Sequence, residues 1–173
     1  LGQIHLRMGQ LFEARETISR ILKIDSDSIE AHHLLSSVQI KERNIESAIE
    51  TLIKAMEIDE KNIKTYTSLA GLYIKTHQGG LAEKTYRKAL EIDPDYRPAY
   101  ISFCRILASQ KRWNEIEELL MDLLKRGDEN ITKYLDLAKF YQGQKKYDLA
   151  EENYRKAVNN APEKTLPLVN LAE

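Results

Sequence analysis

The chain of 173 residues has one cysteine, four prolines and seven glycines. A lone cysteine excludes an internal disulfide and any zinc site built from several thiolates. So little Gly and Pro is too little punctuation for a turn-rich all-β fold. No run approaches the ~20 apolar residues of a spanning helix, so no membrane insertion is expected. Net charge is nearly absent, with 26 Lys+Arg against 27 Asp+Glu and a formal charge of −1. Bulk nucleic-acid binders usually carry a basic excess, so no nucleic-acid partner is expected. At 42% apolar and 31% charged residues, the composition is globular rather than disordered. The start, Leu1-Gly2-Gln3-Ile4-His5, has no leader pattern and looks like the middle of a helix. A fragment of a longer chain is therefore expected, and the compartment stays open.

What the chain does have is a period. Ala82, Tyr86, Ala89, Leu90, Ile92 and Pro94 recur 34 positions later as Ile116, Leu120, Leu123 and Leu124, then as Ala150, Tyr154, Ala157, Val158 and Pro162. Upstream, the same spacing finds Ala48, Leu52, Ala55, Met56 and Ile58, then Ala14, Ile18, Ile21, Leu22 and Ile24. No insertion or deletion intervenes. A second set runs Leu1, Leu35, Leu69, Phe103, Leu137 and Leu171, each followed by a small residue: Gly2, Ser36, Ala70, Cys104, Ala138 and Ala172. Tyr66, Tyr100 and Tyr134 form a further column. A fixed period of this length marks a stacked repeat architecture, because one unit cannot bury its apolar faces alone.

The period resembles the tetratricopeptide repeat (TPR), a 34-residue helix–turn–helix. The family pattern is met by Tyr66, Leu69-Ala70, Tyr73, Ala82, Tyr86, Ala89 and Pro94, and again by Tyr134, Leu137-Ala138, Tyr141, Ala150, Tyr154, Ala157 and Pro162. The resemblance covers the whole chain and implies an all-α, alpha-alpha superhelix, a right-handed TPR solenoid of about eleven antiparallel helices. The expected divisions are a partial repeat at 1–28, repeats at 29–62 and 63–96, a divergent repeat at 97–130, a repeat at 131–164, and a lone first helix at 165–173. Asp93-Pro94 and Ala161-Pro162 should end helices, and Pro98 and Pro167 should lie in first turns. Gly79-Gly80 is expected in an interhelical turn, and Cys104, in the small-residue column, is expected to be buried.

Catalytic chemistry is sparse. His5 and His32 fall in packing columns, and His32 and His33 point ~100° apart on a helix, too divergent to share a metal readily. No HExxH, GxGxxG, Walker or GxSxG motif occurs. Neither an enzyme, a metal nor a cofactor is expected. Arg126-Gly127-Asp128 spells an adhesion-like tripeptide, but Gly after a helix and Asp before the next is ordinary capping. Asn130-Ile131-Thr132 is a lone glycosylation sequon. A related 35-residue helical array that reads RNA is the rival from another class. The period of 34 and the charge of −1 speak against it.

In the family, first helices line a concave groove. Carried over by position, the groove candidates are Arg7, His33, Lys41, Thr67, Lys75, Ile101, Arg105, Leu135, Lys139 and Val169. Arg7, Lys41 and Lys75 form a basic ladder, and Ile101, Leu135 and Val169 an apolar one. The Lys–Asn clamp of chaperone-binding members is missing, as is the Asn ladder of the glycosyltransferase type. The expectation is a non-catalytic scaffold for a protein or peptide with an acidic half and an apolar half. The alternative is self-association through the apolar ladder or the truncated ends.

Overall fold

The computed structural model describes residues 2–126 and 131–160. Among them are ten helices and no strand: α1 (Gly2–Arg7), α2 (Leu11–Ile24), α3 (Ile29–Lys41), α4 (Ile45–Ile58), α5 (Ile63–Lys75), α6 (Gly79–Ile92), α7 (Arg97–Ser109), α8 (Trp113–Lys125), α9 (Ile131–Gly143) and α10 (Tyr147–Asn159). The eleventh helix expected at 165–173 lies outside the described residues, as do Gly127, Asp128, Asn130, Pro162 and Pro167.

The helices group into two compact units that divide within α7, between Phe103 and Cys104. In the first unit, α1 packs on α2, α3 on α4 and α5 on α6, and successive pairs meet through α2 with α3 and α4 with α5. Ala14 and Ile18 of α2 form one core with Ala31 and Val38 of α3. Ala48 and Leu52 of α4 form the equivalent core with Leu69 and Leu72 of α5. In the second unit, α8 packs on α9 and α9 on α10. There the Glu117 carboxylate accepts from the Tyr141 hydroxyl at 2.9 Å and the Lys146 ammonium at 3.3 Å, tying α8 to the α9–α10 turn. Burial, and then the bond to Glu117, raises the Tyr141 phenol to about 12. The columns explain this packing. Ala14, Ala48, Ala82 and Ala89 have no exposed surface, so helices can approach with only a methyl between backbones. In α8 the larger Ile116 and Leu123 are buried in the columns that hold Ala in α6.

The period is also written into the turns. Gly9, Arg43, His77, Lys111 and Lys145 have φ of 75°, 62°, 58°, 58° and 58°. Each follows a first helix, and the next amide closes back to a carbonyl five residues earlier, as in Gln10 to His5 at 2.9 Å and Gln78 to Tyr73 at 2.8 Å. This is the helix-terminating Schellman motif, which needs one left-handed residue. Only the first copy supplies Gly there. Between repeats, Asp25, Asp59 and Asp93 each accept the amide two residues on, at 3.2, 2.9 and 3.0 Å, in Asx turns.

Two expectations are corrected. Gly79 and Gly80 do not form a turn; they open α6, because His77 already provides the left-handed residue and Gln78 the boundary. Cys104 is half-buried, not buried. Even so, burial and then the nearby Asp136 charge push its thiol up to about 12.

A non-Gly residue at positive φ costs ~1–2 kcal/mol, more for a β-branched one. His77→Gly should therefore be neutral or stabilising by up to ~1 kcal/mol, and His77→Val destabilising by ~1–2 kcal/mol, in urea melts. Equal midpoints for the two variants would contradict the strain assigned to this column.

Candidate functional site: the first-helix face

Arg7, Lys41 and Lys75 are the last residues of α1, α3 and α5. All three are exposed. None takes part in an ion pair among the described residues. At a helix C-terminus a cation also complements the carbonyl dipoles, worth ~0.3–1 kcal/mol each. The ladder therefore has a structural use that leaves its charges open to solvent.

His33 and Thr67 sit lower on the same helices, half-buried. The Thr65 hydroxyl donates to the Asn62 side-chain oxygen at 3.2 Å, and its oxygen then accepts from His33 Nε2 at 2.9 Å. That bond joins α3 to α5. Burial, and next the neighbouring Lys64 ammonium, lowers the His33 pKa below its usual 6.5. The Ser36 and Ser37 hydroxyls both donate to the His33 carbonyl at 2.9 Å. Thr67 turns its hydroxyl onto its own helix, donating to the carbonyls of Ile63 and Lys64 at 3.0 Å. Its polar group is thus already engaged.

Ile101 of α7 is half-buried, as is Leu135 of α9, so neither stands out as an open apolar side chain. Arg105 on α7 and Lys139 on α9 are exposed. Val169 lies outside the described residues. No hydrogen bond or ion pair joins any two of the candidates that are described. What sequence reasoning missed is Thr65, fully buried as the partner of His33. The available signal was a hydroxyl in a column that reads Ala31 and Ala99 in the neighbouring repeats. A second buried polar pair, Thr51 donating to Gln39 at 2.9 Å, fills a column that holds Tyr73 and Tyr141 elsewhere.

Cys104 is held as a thiol, and no group of three His, Cys, Asp or Glu among the described residues could hold a metal. No described helix is long and apolar enough to cross a membrane.

A tetratricopeptide repeat model matches residues 29–62, 63–96 and 134–164, more than half of the chain. The chain belongs to the tetratricopeptide repeat family. The match passes over 97–130, where Ile116 and Leu123 replace the family's alanines. No curated relative matches the sequence. Among solved TPR structures, MamA is 19% identical with a TM-score of 0.67, covering 92% of this chain and 93% of its own. PilF of Pseudomonas aeruginosa is also 19% identical, with a TM-score of 0.69 and coverages of 94% and 74%. YrrB, described as a TPR protein with an unusual peptide-binding site, is 18% identical, with a TM-score of 0.59 and coverages of 94% and 84%. At these identities the likeness is one of fold: an all-α superhelical array. The TPR fold is generally a non-catalytic scaffold for protein interactions.

The lowered His33 pKa has a sign. Above pH 6.5 the ring is neutral in both folded and unfolded chains, and its contribution to stability is complete. Below 6.5 the unfolded chain takes up the proton first, so stability falls as the pH drops through the folded-state value. His33→Gln should flatten that part of the pH profile of the urea midpoint. An unchanged slope in the variant would show that His33 is not the group responsible.

Proposed function

We propose that this TPR chain is a non-catalytic scaffold whose first-helix face in the first compact unit binds an extended acidic segment of a partner protein. The observation that carries this is the recurrence of Arg7, Lys41 and Lys75 at the ends of α1, α3 and α5 as exposed cations without ion pairs among the described residues. Helices in contact lie ~8–10 Å apart, so successive cations repeat on that scale. An extended peptide rises ~3.3 Å per residue, and acidic side chains about three apart keep step with them. His33 is neutral near pH 7 and its Nε2 is occupied by Thr65, so it shapes the face without adding charge. In the second unit, exposed Arg105 and Lys139 offer cations of their own, with Leu135 one turn before Lys139 on α9.

Solvent-exposed ion pairs contribute only ~0.2–1 kcal/mol each, so the cations set register and salt dependence more than total affinity. A labelled peptide with Asp at every third position should bind with an affinity that falls as salt is raised. Replacing Lys41 and Lys75 by Glu should weaken binding by about three- to tenfold and reduce the salt slope. Equal affinity for the charge-reversed variant and the parent, measured by fluorescence anisotropy, would place the acidic ligand elsewhere.

A further inference from the structure

The cationic ends of α3 and α5 share more than a lysine. At the same three columns α3 carries Ser37, Ile40 and Lys41, and α5 carries Gly71, Ile74 and Lys75. The spacing i, i+3, i+4 sets each trio on one side of its helix. On α7 these columns read Arg105, Ala108 and Ser109, and on α9 Lys139, Gln142 and Gly143. A small residue, an isoleucine and a lysine occur together only on α3 and α5.

Gly71 is the unusual member. It lies inside α5, where only proline is a poorer helix former than glycine, and it does not have a positive φ. A Cβ built on it would meet nothing within 4 Å, whereas one on Gly2 would touch the Ile18 side chain at 3.4 Å. Neither backbone conformation nor packing among the described residues calls for glycine here. Its missing side chain leaves a low point on the α5 surface. Around it, polar groups are already engaged. Thr67, one turn earlier, donates its hydroxyl to the Ile63 and Lys64 carbonyls, and the Ser37 hydroxyl donates to the His33 carbonyl. Ile40 is half-buried against the core of α4 and α5, but Ile74 is 42% exposed. Lys75, beside Ile74, has no ion pair among the described residues and is exposed. Uncovered apolar surface and an ammonium thus border the low point.

We infer that the extended acidic segment crosses α5 with its backbone against Gly71, and that it carries an apolar residue in each interval between its acidic ones. This rests on the acidic-segment reading above and narrows it to a class of sequence. Gly71 and Lys75 are four residues apart, ~6 Å along the helix, so a lysine side chain folded back along α5 meets a carboxylate from a backbone lying at Gly71. Ile74 stands between the two, so the same crossing brings a neighbouring side chain onto it. Close approach of a backbone is what an absent Cβ permits. Covering on the order of 50 Å² of apolar surface raises affinity about tenfold, more than one exposed ion pair does. The lysines then set register, and Ile74 selects for the apolar residue.

The probes are three labelled peptides, each four repeats long: Asp-Ser-Ser, Asp-Leu-Ser and Asp-Ser-Leu. In anisotropy titrations against the full chain, the better of the two leucine peptides should bind about tenfold tighter than Asp-Ser-Ser. Ile74→Ser should remove that difference. Gly71→Ala gives the decisive contrast. It should raise the urea midpoint, since alanine is the better helix former and its methyl group has room, yet weaken the leucine peptide about threefold. Gly71→Leu should weaken it more than tenfold. A glycine with a merely structural role would not couple a higher midpoint to weaker binding. Equal affinity of all three peptides for the parent chain, or undiminished binding by both Gly71 variants, would overturn the inference. If Asp-Ser-Ser still bound with a salt dependence that Lys41→Glu and Lys75→Glu reduce, the acidic-segment reading would survive that result. Binding of none of the peptides would overturn both. Concentration-dependent self-association abolished by Gly71→Leu would also overturn the inference, by giving the α5 surface to a second copy.

Discussion

The closeness of helix backbones at the small-residue columns is the constraint on which the rest depends. Ala14, Ala48, Ala82 and Ala150 hold one face of four of the second helices, with Ile116 in the fifth, and Gly2, Ser36, Ala70 and Ala138 hold the same column of four first helices, with Cys104 in the fifth. At Gly2 a Cβ would already meet the Ile18 side chain at 3.4 Å, so even one methyl group would sit at the limit of ordinary contact. Such approach gives each aliphatic residue, such as Leu52 or Leu69, neighbours on every side. It also forces a fixed repeat length, because an inserted residue would rotate a whole stripe by ~100° off its partner. The 34-residue period follows from this packing.

Turn chemistry obeys the same constraint. A chain that must reverse direction at a fixed position needs a left-handed residue there, whatever its identity. Arg43, His77, Lys111 and Lys145 accept the strain that Gly9 avoids. Stacking makes this tolerable: the energy gained by burying the faces of each pair far exceeds ~1–2 kcal/mol per turn. Polar side chains that fall inside the stack are matched rather than expelled, as Thr51 with Gln39 and Thr65 with His33 show.

Fold class was legible because packing acts on columns, and a column repeats its evidence down the chain. Leu69 alone says little; Leu35, Leu69, Phe103 and Leu137 at one spacing specify a stripe. Site features were less legible because they are single events. The bond from Thr65 to His33 depends on how two first helices align, which no spacing rule states. Gly79-Gly80 read as a turn by composition, yet the preceding His77 had already made the turn, leaving two glycines to open a helix. Cys104 occupies a small-residue column that is buried at Ser36, Ala70 and Ala138, but it is itself only half-buried. Ile101 and Leu135 were singled out by position, whereas their half-burial depends on the local packing of α7 and α9.

In a repeat array, a residue is informative when it departs from its column and packing does not explain the departure. Gln39 departs from an aromatic column and is explained by Thr51. Thr65 departs from an alanine column and is explained by His33. Lys41 and Lys75 recur where a helix end favours a cation, so part of their presence is structural. The excess is that their charges meet no carboxylate among the described residues, unlike Arg15 with Glu42 or Lys146 with Glu117. Met8 and Phe12 are the sharpest departures, because every other repeat places a polar residue or glycine at those positions. A large exposed apolar side chain adds nothing to the stacking that defines the fold, and it costs solubility wherever it stays uncovered. By this criterion the departures that stacking leaves unexplained among the described residues are the exposed Lys41 and Lys75 and the large apolar Met8 and Phe12.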